Sequence, residues 1–236
     1  MYAARAALQD AGVSPAEISL IIVGTATPDV IGPCVASQLA LALECPRTTG
    51  TFDIQAACAG FLTAVATAER HLRVTGGYAL VVGADTYSRF RNHQDRRTTA
   101  LWGDGAGAVV LGAVGGESGL LHTMLASHPV ETEVGGIPAG LSRLPASHET
   151  VDAGLHYVGM NGRRIMEIFQ ENVPPMTRSF LAEAGMDPES VDHIVPHQGN
   201  VRLVESIKPL LESPRPRSRE RRRIRQHGVR LDSNHP

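Results

Sequence analysis

The chain has 236 residues, of which 42% are hydrophobic and 19% charged, a balance that supplies a packed core and excludes an intrinsically disordered protein. No run approaches the about 18 to 20 apolar residues of a membrane span, and no basic segment followed by an apolar run predicts a secretory signal. Three cysteines without metal-ligand spacing exclude a disulfide scaffold and a zinc ribbon, so a cytoplasmic protein is expected.

Apolar runs and the residues that end them predict alternating helices and strands. Short β-branched runs bounded by Gly or Pro predict buried strands, and longer stretches of helical spacing predict helices. The alternation is typical of an α/β protein whose sheets are covered by helices on both faces. The predicted helices are 2–11, 35–43, 62–74 and 161–183, the last interrupted at Pro174 and Pro175, and the predicted strands are 18–23, 51–54, 79–83, 106–114 and 191–195.

One segment of the chain matches another without gaps at an offset of 173 residues. Residues 5–25 align with residues 178–198, and each copy contains a helix, an Ala-Gly turn, a Pro-initiated turn and a buried strand. The match favours a duplicated fold. Chance is the alternative, because many helix-to-strand turns share this pattern.

Cys58 is the first candidate for chemistry, because it lies where a predicted strand turns into a predicted helix. Its neighbours Ala56, Ala57, Ala59 and Gly60 are small enough for a substrate to reach the sulfur. A helix N-terminus carries partial positive charge and unpaired N–H groups, which favour a thiolate and bind an oxyanion. The alternative is a buried cysteine that packs as a small hydrophobic residue.

His197 is the second candidate, because it follows the predicted strand 191–195. The carboxyl ends of strands are where α/β sheets present functional groups. A neutral imidazole there can donate a hydrogen bond to a carbonyl or exchange a proton. The alternative is a histidine in a surface loop.

The glycine-rich run at 103–107 resembles part of a dinucleotide-binding loop. Its spacing does not fit G-x-G-x-x-G, and it precedes a predicted strand where that loop would follow one. We therefore predict a tight turn that lets backbone segments pack closely, and an NAD-dependent oxidoreductase is disfavoured.

Four motifs follow one another in a specific order. They are Phe-Asp-Ile-Gln-Ala-Ala-Cys-Ala-Gly-Phe at 52–61, Trp-Gly-Asp-Gly-Ala-Gly-Ala at 102–108, Met-Asn-Gly-Arg at 160–163 and Val-Pro-His-Gln-Gly-Asn at 195–200. Together they resemble the β-ketoacyl-acyl-carrier-protein synthase III family of thiolase-fold condensing enzymes. The resemblance implies an α/β thiolase-like fold with two pseudo-duplicated halves in α-β-α-β-α layers, incomplete at both ends. The implied division is a first half at 1–115, a second at 116–212 and an Arg-rich tail at 213–236.

The resemblance also implies the chemistry and the site. Cys58 would take the acyl group from an acyl-CoA, and His197 would assist decarboxylation of a malonyl-acyl-carrier protein, in fatty-acid or polyketide initiation. Arg96 matches a family arginine near the CoA nucleotide, while Gly162 and Asn200 match positions that line the pantetheine tunnel. No metal or prosthetic cofactor is expected. The expected partners are acyl-CoA, acyl-carrier protein and a second copy of the chain, without nucleic acid or membrane.

Residues 30–34 match the family loop that enters the acyl pocket of the partner subunit. Family members often carry a bulky residue near the position of Gly32. A glycine there predicts room for acyl chains longer than acetyl.

The tail at 213–236 departs from the family, since it has eight arginines, two acidic residues and no strand pattern. The family's Gly-Asn-Thr segment, which carries a second decarboxylation donor, is absent. A back-translation of residues 224–231 shifted by one base encodes Tyr-Gly-Asn-Thr-Ala-Ser-Ala-Ser, so we hypothesise that the tail is translated out of frame. A basic tail that binds nucleic acid or acidic partners is the alternative.

Two other functions compete with condensation. The first is an acyltransferase that passes the acyl group from Cys58 to an alcohol or amine. The second is a non-catalytic remnant of the family, because missing strands would leave sheet edges and apolar faces uncovered.

Overall fold

The computed structural model describes residues 1–96, 98–113, 118–131, 134–199 and 201–207. The described part of the chain forms two compact units. The first contains Met1–Ser88 and the described part of 103–125, and the second contains Arg89–Trp102 and the described residues from 126 to 207. The predicted tail lies outside the described residues, and the predicted division at residue 115 stays a prediction.

A four-stranded sheet forms the centre of the first unit. Ile18–Gly24 (β1), Gly50–Ile54 (β2) and Tyr78–Thr86 (β3) run parallel, and Asp104–Gly112 (β4) runs antiparallel to β3. The strand order is β2-β1-β3-β4, so β1 is central. The apolar run of β1 is continuous because both of its faces are buried.

Helices cover both faces of this sheet, as the sequence predicts. Tyr2–Ala11 (α1) and Val35–Ala42 (α2) pack on one face, and Gly60–Thr75 (α3) packs on the other. Because side chains alternate along a strand, neighbouring residues of β1 and β3 reach opposite layers. Ile21, Val23, Leu80 and Val82 pack with α1 and α2, whereas Leu20, Ile22, Ala79 and Val81 pack with α3.

The glycine-rich run at 103–107 is not the predicted turn. From Asp104 onward it belongs to β4, where Gly105 pairs with Asp85 and Gly107 pairs with Gly83. The prediction was wrong because Gly usually marks a turn, whereas here the β3 partner supplies the hydrogen bonds that keep the run extended.

The second unit is built around one long helix. Its elements are the strands Gly135–Gly136 (β5) and Gly159–Met160 (β6), which pair with each other, and the helices His148–Asp152 (α4), Gly162–Glu183 (α5) and Val201–Ile207 (α6).

The helix α5 is continuous, although an interruption at Pro174 and Pro175 is predicted. The two prolines cannot donate backbone hydrogen bonds, which ordinarily bends or ends a helix. Around the pair, Asn172 Nδ2 donates to Ile168 O at 2.7 Å and Thr177 Oγ1 donates to Val173 O at 2.9 Å, and both of these carbonyls precede the prolines.

The repeat found in the sequence is also a repeat of local structure. The N–H of Val13 donates to Leu8 O at the end of α1, and the N–H of Met186 donates to Leu181 O at the end of α5, 173 residues later. Gly12 and Gly185 follow these helices with φ of 65° and 66°, which suits glycine because it has no side chain to clash. Each is followed by a capped 3₁₀ turn, at Pro15–Glu17 and Pro188–Ser190.

The repeat does not extend into a second strand. Residues 191–195 are predicted as a strand, but they form none, and Val195 is 87% exposed. A strand is stabilised by hydrogen bonds to a neighbouring strand, and no described strand of the second unit lies beside this segment. The predicted repeat is therefore present up to the 3₁₀ turn, whereas the predicted strand at 191–195 was wrong.

Candidate active site

Cys58 lies in the 3₁₀ turn Ala57–Ala59, between the end of β2 and the start of α3. The predicted strand-to-helix position is therefore confirmed. The residue is exposed, and its thiol forms no disulfide. The carboxyl ends of β1, β2 and β3 meet at this edge, since Gly24 is registered with Ile54 on one side and Gly83 on the other. Such an edge is where parallel sheets hold their ligands.

A close backbone contact sets the height of this turn above the sheet. A Cβ on Gly24 would lie 2.5 Å from the carbonyl carbon of Gly60 and 2.8 Å from the backbone nitrogen of Phe61. Real Cβ atoms do not approach backbone atoms this closely. Only a glycine at 24 therefore allows α3 to begin directly over the end of β1.

The turn itself holds one unusual backbone conformation. Ala57, next to Cys58, has a φ of 44°, in the left-handed region that non-glycine residues rarely adopt. Such strain persists only where the surrounding structure enforces it, and it is concentrated at functional sites. The strained residue turns the chain sharply enough for Cys58 to stand at the rim of the sheet.

The electrostatics of Cys58 differ from the expectation that the helix N-terminus favours a thiolate. Although the residue as a whole is exposed, partial burial of its sulfur raises the pKa of the thiol. The residue's own backbone N–H lowers this pKa, and the negative charge of Asp85 raises it. The net direction is upward. The resting thiol is therefore protonated at neutral pH, and it must lose its proton when it attacks.

Asp85 and Tyr87 are site residues that the sequence reasoning did not identify. Burial raises the pKa of Tyr87, and the charges of Asp85 and Cys58 raise it further, so the three side chains interact electrostatically. A signal was available in the sequence. Both residues follow the predicted strand 79–83, whose carboxyl end belongs to the same sheet edge as Cys58.

His197 lies in the second unit, in an exposed segment without regular structure. Its ring lies close to Gly199, because a Cβ on that glycine would be 2.5 Å from His197 Nε2. The predicted role of His197 stays a prediction.

Two of the predicted CoA-binding residues, Arg96 and Gly162, are also in the second unit. Arg96 is exposed in a turn after Asp95, and Gly162 is the first residue of α5, where the Asn161 side chain accepts a hydrogen bond from the N–H of Arg164 at 3.1 Å. Asn200 lies outside the described residues. The roles of all three stay predictions.

No described helix is both long and apolar enough to cross a membrane. Within the described residues, no group of three His, Cys, Asp or Glu side chains is arranged to hold a metal ion.

Comparison with known proteins relates this geometry to one family. Residues 52–129 match the family model of 3-oxoacyl-acyl-carrier-protein synthase III. An acetoacetyl-CoA synthase of Streptomyces sp. is 40% identical over 90% of this chain and 65% of its own length. A β-ketoacyl-acyl-carrier-protein synthase III of Symbiobacterium thermophilum is 42% identical over 87% of this chain and 62% of its own length.

A solved structure supports the same relationship. The crystal structure of a 3-oxoacyl-acyl-carrier-protein synthase III superposes with a TM-score of 0.82 and 26% identity, over 89% of this chain and 66% of that chain. The predicted thiolase-like α/β fold class is confirmed. The chain spans less than two thirds of the length of the curated relatives that it matches.

Proposed function

We propose that this chain, which belongs to the 3-oxoacyl-acyl-carrier-protein synthase III family, catalyses the decarboxylative condensation of an acyl-CoA with malonyl-acyl-carrier protein through Cys58. The observation that carries the proposal is the exposed thiol on a sharp turn at the start of α3, above the carboxyl ends of three parallel strands. The reaction belongs in the cytoplasm, where reducing conditions keep the thiol free.

In the first half-reaction, Cys58 loses its proton and the sulfur attacks the thioester carbonyl of acyl-CoA. The tetrahedral intermediate collapses, the C–S bond to CoA breaks, and CoA leaves as a thiolate that takes up a proton. The N–H of Ala59 donates to Ala56 O and that of Gly60 to Ala57 O, whereas the N–H of Cys58 acts on its own sulfur. This N–H can donate a hydrogen bond to the oxyanion that develops on the thioester oxygen.

In the second half-reaction, the malonyl thioester loses carbon dioxide and leaves an enolate. The enolate carbon attacks the acyl carbonyl, the bond to Cys58 breaks, and a β-ketoacyl thioester is released; the Cys58 thiolate then takes up a proton from solvent, which restores the resting thiol. His197 would donate a hydrogen bond to the enolate oxygen. Arg96 would bind a CoA phosphate, and Gly162 and Asn200 would line the path of the pantetheine arm.

A second acceptor is favoured by one comparison. The Streptomyces relative, at 40% identity, is named for acetoacetyl-CoA synthesis, a product that carries CoA and no carrier protein. Malonyl-CoA is therefore the competing acceptor for the acyl group on Cys58. The two are separated by supplying malonyl-CoA and malonyl-acyl-carrier protein in parallel and measuring which β-keto product forms.

The chain would act as a homodimer. Among the described strands, β2 pairs only with β1, so one of its edges is open to a second copy. The loop 30–34 would then enter the partner's acyl pocket, and Gly32 would leave it wide. An analytical ultracentrifugation run that finds only monomer at micromolar concentration would contradict this part of the proposal.

The test of the whole proposal is a condensation assay with radiolabelled acetyl-CoA. We expect a β-ketoacyl product and one carbon dioxide per turnover, both abolished in Cys58→Ala. Cys45→Ala is the matched control, because that thiol lies away from the sheet edge and should be dispensable. A folded chain that forms no product with either acceptor, or a Cys58→Ala variant as active as the parent, would overturn the proposal.

A further inference from the structure

Asp85 is the centre of a hydrogen-bonded cluster at the sheet edge that holds Cys58. β3 continues past the last registered pair with β1, between Gly83 and Gly24, and carries Asp85 two residues further. A single carboxylate oxygen, Oδ1, then accepts three hydrogen bonds. They come from Ala26 N at 2.8 Å, Thr27 Oγ1 at 2.9 Å and Thr25 Oγ1 at 3.3 Å.

Further hydrogen bonds join the members of the cluster to each other and to the neighbouring strands. Thr27 Oγ1 also accepts from Thr86 N at 2.8 Å, and Thr25 Oγ1 accepts from Thr27 N at 3.1 Å. The N–H of Thr25 donates to Ile54 O of β2 at 3.1 Å. Thr25 and Thr27 are buried, so each hydroxyl needs these partners. The segment 25–27 is therefore tied to the ends of both β2 and β3.

This segment is continuous with the support of the nucleophile. Thr25 directly follows Gly24, whose backbone is in close contact with Gly60, two residues after Cys58. A shift of the segment would move Gly24 and with it the start of α3. The carboxylate that anchors the segment is thus part of what holds the thiol in place.

The carboxylate also acts on the thiol through its charge. Asp85 raises the pKa of Cys58 and that of Tyr87, both at this edge. The acids on the neighbouring strands have other partners, since Asp53 accepts from backbone N–H groups at the start of α2 and Asp104 accepts from the N–H of Ser88. Among these acids, Asp85 is the one whose charge acts on the sulfur.

We propose that Asp85 is a positioning residue for Cys58, which clamps the segment beneath the nucleophile with one carboxylate oxygen and opposes the thiolate with its charge. The inference rests on the proposed role of Cys58 as the nucleophile. Its consequence is a thiol that stays protonated at rest and becomes more reactive when the charge is removed.

The test measures the pH dependence of Cys58 alkylation by iodoacetamide in the full 236-residue chain, with the Cys58 peptide followed by mass spectrometry. Asp85→Asn keeps the size of the side chain and removes the charge. We expect the midpoint of the alkylation pH profile to move to lower pH and the rate constant at pH 7 to rise several-fold, because the substitution removes the Asp85 charge, one of the causes that raise the pKa of the thiol.

Two matched variants separate the charge from the clamp. Thr27→Val removes one hydrogen bond to Asp85 Oδ1 and the acceptor of the Thr86 N–H, but it keeps the charge, so its midpoint should equal that of the parent. Asp85→Glu keeps the charge and should restore most of the parent's profile. If circular dichroism shows that Asp85→Asn does not fold, Asp85→Ser replaces it. This side chain is smaller and neutral, and we expect the same fall in the alkylation midpoint.

The outcomes are distinct. A midpoint that falls in the neutral variants and not in Thr27→Val supports the proposal. A midpoint that is unchanged or higher in a folded neutral variant, or that falls equally in Thr27→Val, overturns it. Alkylation needs no acyl-CoA, so a failure here is distinguishable from a failure of the condensation assay.

Discussion

The contact between Gly24 and Gly60 makes the sharpest prediction about the nucleophile, because one added methyl group meets rigid backbone. In Gly24→Ala, the new Cβ would lie 2.5 Å from the Gly60 carbonyl carbon, about 0.9 Å short of the 3.4 Å at which ordinary contact begins. Neither partner is a flexible side chain. The start of α3 must therefore move away from β1.

Two magnitudes follow from that movement. Overpacking of this kind costs about 1 to 3 kcal/mol in the free energy of unfolding. A displacement of about 1 Å at a reacting group lowers the rate by roughly 10²-fold, because near-attack geometry is lost. Since Cys58 is two residues from the contact, acylation should fall by about this factor even at temperatures where the variant is fully folded.

The assay combines urea unfolding with the rate of acyl-Cys58 formation from acyl-CoA. Gly107→Ala is the matched control, because a Cβ on this strand glycine meets nothing within 4 Å. Gly60→Ala places a methyl group on the other side of the same contact. It should be tolerated better than Gly24→Ala, since its Cβ would lie at an ordinary 3.4 Å from Gly24 Cα. A Gly24→Ala protein with the parent's stability and acylation rate would refute the reasoning.

Four further predictions concern the surroundings of the site. Asp53→Ala removes the carboxylate bonded to the first N–H groups of α2, at 2.7 and 2.8 Å, and should lower the free energy of unfolding by about 1 to 2 kcal/mol in urea melts; no loss would contradict the capping role. Because burial raises the pKa of Cys58, its alkylation midpoint should lie at higher pH than that of glutathione, and an equal or lower midpoint would count against the assigned burial. Hexanoyl-CoA should acylate the chain as well as acetyl-CoA does, because a glycine at position 32 would leave the partner's acyl pocket without a bulky side chain, and a strict acetyl preference would refute this reasoning. His197→Ala should slow condensation about 10²- to 10³-fold and leave acylation unchanged, and a parallel loss in both assays would exclude a role confined to decarboxylation.

The first unit could be predicted from sequence because its elements carry local signals. The β-branched run 18–23 is buried on both faces, and Gly12 ends α1 with the backbone conformation that glycine adopts most easily. The Cys58 turn followed from small residues between a strand and a helix. In each case a few neighbouring residues decide the structure.

The predictions that failed concern residues whose structure depends on partners distant in sequence. Residues 104–107 are extended because β3 pairs with them, and residues 191–195 remain irregular where no described strand of their unit pairs with them. The raised pKa of Cys58 depends on burial and on Asp85, which is 27 positions away in the chain. Local propensity carries no information about such partners.

The central claim is that Cys58 accepts the acyl group, and peptide mapping after exposure to acyl-CoA tests it most directly. The folded 236-residue chain is incubated with acetyl-CoA, digested and analysed by mass spectrometry. The account predicts one acetyl thioester, on the peptide that contains Cys58, and none in Cys58→Ala. A thioester on Cys34 or Cys45 with Cys58 unmodified, or no thioester on a folded chain, would contradict it.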